Sequence, residues 1–106
     1  MGGGGGGSRN YIRKIVSKED DCNKLYFITD LQNVQPCVSD YEVDDILDVK
    51  LDILERVYVE GKHGVCGYIT AVSVAQLINC LKKGKEFKAT IQSISGPSCR
   101  VEVKPN

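Results

Sequence analysis

The sequence predicts a mainly β fold with two α-helices, of the α+β class, and three observations support this prediction. Several short segments alternate apolar and polar residues with the period of two that half-buried strands show. Two segments begin with the Ser-x-x-Glu/Gln pattern of a helix capping box, at Ser39-Asp40-Tyr41-Glu42 and at Ser73-Val74-Ala75-Gln76. The segments are joined by short polar or glycine turns, which is typical of a compact antiparallel fold.

In the first half of the chain, the pattern predicts strands at residues 11–16 and 25–31. A loop around Pro36 follows. The first capping box, with Val38 and Val43 as its hydrophobic staple, predicts a short helix from Ser39 through Ile46 or Leu47. Alternation then predicts another strand at residues 49–54.

In the second half, residues 56–60 and 65–69 flank the turn Gly61-Lys62-His63-Gly64 and predict a β-hairpin. The second capping box and the apolar spacing that follows predict a helix over residues 74–83, with Val72 and Leu77 as its hydrophobic staple and Gly84 as its C-terminal cap. Strands are expected at residues 85–94 and 100–104, joined by a turn at residues 95–98.

These elements favour one small antiparallel β-barrel of the SH3 or OB type, capped by helices, over residues 9–106. Residues 1–8 are glycine-rich and are interpreted as a tag or linker. The expected core is apolar and is drawn from every predicted strand and helix. It consists of Ile15, Leu25, Phe27, Val43, Ile46, Leu51, Ile53, Val57, Val59, Tyr68, Leu77, Ile78, Leu81, Phe87, Ile91 and Val101.

Charge is balanced in total but separated along the chain. The 106 residues carry 14 bases and 14 acids, of which twelve acids fall within residues 19–60, whereas seven bases follow residue 60. Such separation can steer a charged partner. No apolar segment approaches the roughly 18 residues that span a bilayer, and no leader pattern is present. We therefore expect a soluble, cytoplasmic protein without a membrane partner.

The five cysteines form no C-x-x-C pair, and the predicted strand and helix positions of Cys66 and Cys80 are usual for small buried hydrophobes. The odd count fits a reducing compartment. The sequence thus predicts structural thiols, with neither a disulfide nor a metal site, and no cofactor.

Catalytic patterns are weak. His63 is the only histidine and lies in a predicted turn, and the turn's glycines lack a P-loop pattern. The pairs Asp44 and Asp45, or Asp48 and Asp52, are ordinary for an acidic surface. We expect a protein that is not an enzyme.

Residues 46–94 resemble a HIRAN domain, a small barrel module that is also found in DNA-remodelling helicases. The resemblance rests on residues 57–69, where a strand ends in a glycine turn and the run Val65-Cys66-Gly67-Tyr68-Ile69 follows, and on the helix that ends at Gly84. The family's Asn-Pro-Tyr-Asp type segment has no counterpart here, because Ile53-Leu54-Glu55-Arg56-Val57 occupies that place. No ligand residue is carried over from that segment.

The resemblance implies a non-enzymatic module that binds nucleic acid, with DNA preferred. Lysines and arginines would contact phosphates and a tyrosine would stack on bases. The candidates are Arg13, Lys14, Tyr26, Lys62, Tyr68, Lys82, Lys83, Lys85, Lys88 and Arg100. The alternative is a protein-interaction or phage-type inhibitor module whose acidic face docks on a basic protein. Its candidates are Asp40, Glu42, Asp44, Asp45, Asp48 and Asp52.

Overall fold

A computed structural model describes residues 22–106 of the chain. The described part holds six strands, one α-helix, one 3₁₀ helix and a helical segment at residues 22–24. The strands are β1 (Phe27–Asp30), β2 (Ile46–Leu51), β3 (Val57–Gly61), β4 (Gly64–Ile69), β5 (Phe87–Ser95) and β6 (Ser98–Pro105); the 3₁₀ helix is Pro36–Asp40 and helix α1 is Val74–Lys82. The strand predicted at residues 11–16 and the candidates Arg13 and Lys14 lie outside the described residues.

All six strands form one antiparallel sheet in the order β1-β6-β5-β2-β3-β4. The sheet curls, and Gln32, two residues beyond β1, pairs with Tyr68 of β4 at the other end of the sheet. The predicted mainly β fold of the α+β class is therefore confirmed at this level, as are the hairpin around Lys62 and His63 and the strand pair β5–β6.

The core lies on the concave side of the curled sheet. Strands β2, β3, β5 and β6 each place alternate apolar residues there, as the period of two requires. The largest side chains that are almost completely buried are Leu47, Leu77, Ile91, Val57, Val59, Val101, Val103, Cys66, Cys80 and Cys99.

Helix α1 ends as the sequence predicts. Gly84 has a φ of +87°, its N–H donates to the carbonyl of Leu81, and the N–H of Lys85 donates to the carbonyl of Cys80. This is a Schellman motif, which a residue without a Cβ favours. The start differs from the prediction, because Ser73 has a helical backbone and makes no side-chain capping bond, and Val72 is fully exposed. Neither the cap nor the staple predicted there forms.

The helix predicted from Ser39 to Ile46 or Leu47 is wrong. Pro36 begins a 3₁₀ helix three residues earlier, and the Ser39 hydroxyl donates to the carbonyl of Pro36 instead of capping a helix. The 3₁₀ helix stops at Asp40, so that the Tyr41 ring is buried while Val43 stays exposed. Burial of Val38 and Tyr41 thus outweighs the local capping pattern.

The strand predicted at residues 49–54 lies three residues earlier in the structure, at Ile46–Leu51. One carboxylate oxygen of Asp52 accepts hydrogen bonds from the backbone N–H groups of Leu54 and Arg56, at 2.9 and 2.8 Å, and turns the chain there. Ile46 and Ile53, both expected in the core, are 66% and 97% exposed. The turn chemistry of Asp52 therefore ends the strand before Ile53 reaches it.

Cys22 and Cys80 form a disulfide, which contradicts the prediction that all cysteines are free thiols. Both residues are buried, and Cys37, Cys66 and Cys99 are free. The sequence does not reveal the pair because its members lie 58 residues apart and meet through the packing of α1. Within residues 22–106, no helix combines the length and apolar character that crossing a membrane requires.

Candidate functional site

A row of side chains crosses three adjacent strands on the outer face of the sheet. Lys50 of β2 lies opposite Tyr58 of β3, which lies opposite Tyr68 of β4, and Tyr68 pairs in turn with Gln32. The centroids of the two tyrosine rings are 6.1 Å apart, and the guanidinium carbon of Arg56 lies 5.3 Å from the centroid of Tyr68. This distance is within the range of a cation–π contact.

A groove opens beside this row, between β4 and helix α1. Its volume is about 410 Å³, within the range of small-molecule sites. We call it the Tyr68 groove. It is lined by Gln32, Asn33, Glu55, Arg56, Val57, Tyr68, Ile69, Thr70, Val74 and Ile78. The walls are mainly apolar, and the polar groups are two amides, one guanidinium, one phenol, the Thr70 hydroxyl and the Glu55 carboxylate.

The turn after β2 holds two of these polar groups in place. Besides its bonds to the backbone, Asp52 accepts a hydrogen bond from the Nε of Arg56 at 2.9 Å. The backbone N–H of Arg56 is the main cause of the lowered pKa of Asp52, and the guanidinium adds to it. Glu55 adopts a φ of +62° and pairs with Lys82 of α1 at 2.6 Å. The turn is thereby tied to the helix across the groove.

Gly67 explains how residues 31–32 come so close to β4. A Cβ at this position would lie 2.9 Å from the carbonyl oxygen of Gln32 and 3.1 Å from the Cβ of Leu31. The absence of a side chain allows the two backbone hydrogen bonds between Gln32 and Tyr68 to form.

A second cavity of about 440 Å³ lies along the same strand and shares Asn33 and Tyr68 with the Tyr68 groove. It reaches the hairpin turn at His63 and Gly64. Here the hydroxyl of Tyr41 accepts a hydrogen bond from the backbone N–H of His63 at 2.7 Å and donates one to the carbonyl of Gly64 at 3.0 Å. Burial is the main cause of the raised pKa of Tyr41, so this hydroxyl stays neutral and able to donate.

Three of the predicted phosphate-binding bases are paired with acids. Lys82 pairs with Glu55, Lys88 with Asp48 and Arg100 with Asp30. Lys62, Lys83 and Lys85 are exposed and make no ion pair with any residue between 22 and 106. Lys83 and Lys85 follow the C-terminal end of α1, whereas Lys62 lies in the β3–β4 turn. Among residues 22–106, these bases therefore leave positive charge without a paired acid at two places.

The two predicted stacking tyrosines differ in their surroundings. Tyr68 lies in the groove, half-buried and next to Arg56. Tyr26 is exposed and is not among the groove residues, and its hydroxyl donates to a carboxylate oxygen of Glu102 at 2.7 Å. That hydrogen bond is the first cause of the raised pKa of Tyr26. Tyr68 is consequently the better placed of the two candidates.

The six predicted docking acids are likewise divided. Asp48 pairs with Lys88, Asp52 holds its turn, and the Asp45 carboxylate accepts the backbone N–H of Glu42 at 2.8 Å. The remaining three are exposed and have no ion pair in the described range. They are Asp40, Glu42 and Asp44.

Two of the three free cysteines, Cys66 and Cys99, are poor candidates for thiolate chemistry. Burial raises the pKa of Cys66 to about 12 and also raises that of Cys99. Between residues 22 and 106 there is no group of three or more His, Cys, Asp or Glu side chains suited to holding a metal ion.

Sequence reasoning missed Gln32, Asn33 and Arg56 as groove residues. Gln32 and Asn33 carry no motif and reach the groove only because the sheet curls. Arg56 gives a weak signal in retrospect, because a turn-forming Asp52 lies four residues before it and the two form an ion pair.

Comparisons with known proteins supply a fold relationship. No family model matches the sequence, and no curated protein sequence matches it. A crystal structure of a protein from Lactobacillus plantarum, determined by a structural genomics consortium, is similar with a TM-score of 0.60 and 9% sequence identity. The match covers 72% of this chain and 87% of that chain. At this identity the similarity concerns the fold alone.

Proposed function

We propose that the protein is a non-enzymatic module that binds single-stranded nucleic acid, with DNA preferred, through the Tyr68 groove. The proposal includes a HIRAN-like character for residues 46–94, a barrel of the SH3 or OB type and a cytoplasmic location. The observation that carries it is the contact between Arg56 and Tyr68, 5.3 Å from guanidinium carbon to ring centroid, beside a groove of about 410 Å³.

Aromatic and guanidinium planes suit unpaired bases for a physical reason. Every base has a π-face, so stacking on tyrosine or arginine requires no particular sequence. The amides of Gln32 and Asn33 each offer donors and an acceptor, which match the edges of an unstacked base. A duplex hides these faces and edges. A single strand is therefore the ligand that the groove suits.

Charge on α1 and just beyond its C-terminal end supports an anionic ligand. Glu55 and Asp52 are neutralised by Lys82 and Arg56. Lys83, next to Lys82, and Lys85 carry positive charge without a paired acid in the described residues. The sequence analysis assigned phosphate contacts to eight bases, whereas in this proposal stacking supplies the preference for single strands and Lys83 and Lys85 supply the electrostatic attraction.

The test is fluorescence anisotropy of labelled oligonucleotides, as single-stranded DNA, single-stranded RNA and duplex DNA. We expect the single strands to bind and Tyr68→Ala to weaken binding by about tenfold, because a stacked base contributes roughly 1–3 kcal/mol. Arg56→Gln should act in the same direction. Tyr26→Ala is the matched control, since it removes an exposed tyrosine outside the groove.

The proposal fails if no oligonucleotide binds below about 100 µM at low salt, which is no tighter than ordinary non-specific association. It also fails if Tyr26→Ala and Tyr68→Ala weaken binding equally. The unfolding midpoint of each variant shows whether weaker binding reflects the missing side chain or an unfolded protein.

A second candidate function rests on Asp40, Glu42 and Asp44, which are exposed and unpaired within residues 22–106. We propose for this case that they dock on a basic protein, as an inhibitor imitating nucleic-acid charge would. Calorimetric titration with a poly-lysine peptide tests it. The triple variant Asp40→Asn, Glu42→Gln, Asp44→Asn should remove the binding, whereas Tyr68→Ala should leave it intact.

A further inference from the structure

Helix α1 contacts the core along one face. Of its nine residues, Leu77 and Cys80 are buried, and three more are partly buried against the core, namely Val74, Ile78 and Leu81. Its first turn has no side-chain cap at Ser73. An isolated helix of this length is marginal in water, so its position depends on tertiary packing. One of its two buried residues is covalently bonded to Cys22.

The same helix forms one wall of the Tyr68 groove. Val74 and Ile78 line the groove, and Lys82 reaches the groove residue Glu55 at 2.6 Å. Cys80 lies between Ile78 and Lys82 along the helix. Any displacement of α1 from the sheet would therefore widen the groove and separate its apolar wall from Tyr68.

We propose that the Cys22–Cys80 disulfide is a redox-controlled clamp on the Tyr68 groove. The oxidised protein holds α1 in place and binds its ligand, and the reduced protein releases α1 and binds more weakly. The inference rests on the proposed function and adds its regulation. Disulfides in cytosolic proteins are mostly transient or redox-sensing, so the clamp is consistent with the expected cytoplasmic location.

The redox step consumes one dithiol for each protein molecule. A thiolate of the dithiol attacks one sulfur of the Cys22–Cys80 bond and forms a mixed disulfide, while the other cysteine leaves as a thiolate and takes up a proton. The second dithiol sulfur then closes a disulfide within the reductant and releases the remaining cysteine, which is also protonated. Two electrons and two protons pass to the protein. Because both cysteines are buried, attack requires local opening of the structure around them.

The experiment compares the wild-type protein oxidised, reduced with dithiothreitol and reoxidised. Alkylation under denaturing conditions and mass spectrometry count thiols, and the described cysteines should give three when oxidised and five when reduced. Hydrogen exchange follows the amides of α1 and, as an internal reference, those of β5 and β6. Anisotropy with a labelled single-stranded DNA measures affinity.

After reduction we expect exchange to accelerate more in α1 than in β5 and β6, whose protection follows global stability. Affinity should fall by about tenfold, an ordinary size for coupling between two sites. Reoxidation should restore the slow exchange of α1 and the affinity for single-stranded DNA. The variant Cys22→Ser, Cys80→Ser should behave like the reduced protein and ignore the reductant; if it does not fold, the wild-type cycle still decides.

Unchanged exchange in α1 after reduction would overturn the clamp. An equal loss of protection in α1 and throughout β5 and β6 would also overturn it, because the disulfide would then stabilise the whole fold and not α1 in particular. Faster exchange in α1 with unchanged affinity for single-stranded DNA would show that the disulfide does not regulate binding. Absence of binding by the oxidised protein refutes the proposed function and its regulation, while hydrogen exchange separately decides whether the disulfide holds the helix.

Discussion

Gln32 and Tyr68 exchange both of their backbone hydrogen bonds, each at 2.8 Å, although they lie at opposite ends of the sheet order. The pair brings the segment after β1 onto the outer strand β4. It also fixes the backbone of Tyr68 from two sides, because Tyr68 pairs with Gln32 on one side and with Tyr58 of β3 on the other. The orientation of the groove tyrosine is therefore set by backbone pairing as well as by its own packing.

Gly67→Ala should destabilise the protein by about 1–3 kcal/mol, because the added methyl meets backbone and Cβ atoms that cannot easily move. Urea unfolding measures the loss. Gly96→Ala is the matched control, since its Cβ would contact nothing within 4 Å and its cost comes from the φ of +59°. Oligonucleotide binding should fall in Gly67→Ala and stay unchanged in Gly96→Ala. Equal stability of Gly67→Ala and the wild type would contradict the close approach of Gln32.

Tyr41→Phe should lower the free energy of unfolding by about 1–2 kcal/mol, because it leaves the N–H of His63 and the carbonyl of Gly64 without their shared partner. Chemical denaturation followed by circular dichroism provides the measurement. Tyr26→Phe removes one hydrogen bond of an exposed tyrosine and should have no measurable effect. Equal effects of the two substitutions would argue against a structural role for Tyr41.

Reduction of the disulfide should lower global stability by about 2–4 kcal/mol, since the bond closes a loop with a sequence separation of 58 residues. The urea midpoint with and without a reductant tests this. Cys99→Ser should leave the sensitivity to the reductant unchanged, because Cys99 is a free thiol. An identical midpoint under both conditions would mean that Cys22 and Cys80 are not bonded in solution.

Acid should destabilise the fold through three carboxyl groups. Arg100 lowers the pKa of Asp30, Lys88 that of Asp48, and the backbone N–H of Arg56 that of Asp52, each from 3.8. The folded protein therefore binds fewer protons than the unfolded chain. The stabilisation is present above the unfolded value and is lost as the pH falls through the folded values.

Melting temperatures recorded from about neutral pH to about pH 2 should fall below about pH 5. Asp52→Asn should melt lower at neutral pH and lose less of its stability on acidification. Asp40→Asn, at the exposed end of the 3₁₀ helix, serves as the control and should follow the wild-type curve. A wild-type melting temperature independent of pH would refute this account.

Charge reversal of Lys83 and Lys85 to Glu should weaken oligonucleotide binding about equally for all sequences. For a single strand, the slope of log affinity against log salt should flatten by about 0.7 for each phosphate that is no longer neutralised. Lys104→Glu changes a base that already neighbours Glu102, at 3.8 Å, and is the comparison. An unchanged slope would assign these lysines to the helix dipole and not to a ligand.

The sequence predicts well where local signals and packing agree. Alternation locates the hairpin around Lys62 and His63, and Gly84 marks the end of α1, because turns and C-terminal caps depend on neighbouring residues. The same reasoning fails at Ser39, where the capping pattern is present but Pro36 and the burial of Tyr41 impose a different geometry. At Ile53, the side-chain bonds of Asp52 end the strand that alternation would continue.

The candidate site is less predictable because it depends on the proximity of residues that are distant in sequence. The sequence indicates Tyr68 as a stacking residue, but its neighbours Gln32 and Asn33 become visible only when the curled sheet joins residue 32 to residue 68. Ion pairs also cannot be read from spacing, since Lys82 meets Glu55 and Arg100 meets Asp30. The disulfide is hidden for the same reason.

The Cys22–Cys80 bond also determines how the protein carries mechanical tension. A force applied to the two chain ends enters at Cys22, crosses the sulfur bridge to Cys80 and continues through the end of α1 into β5 and β6. Strands β1 to β4 lie inside the bridged loop, and while the bond is intact they are loaded only through the pairing of β1 with β6 and of β2 with β5. Pulling would first peel β6 from its neighbours, whereas the Tyr68 side of the sheet would keep its shape.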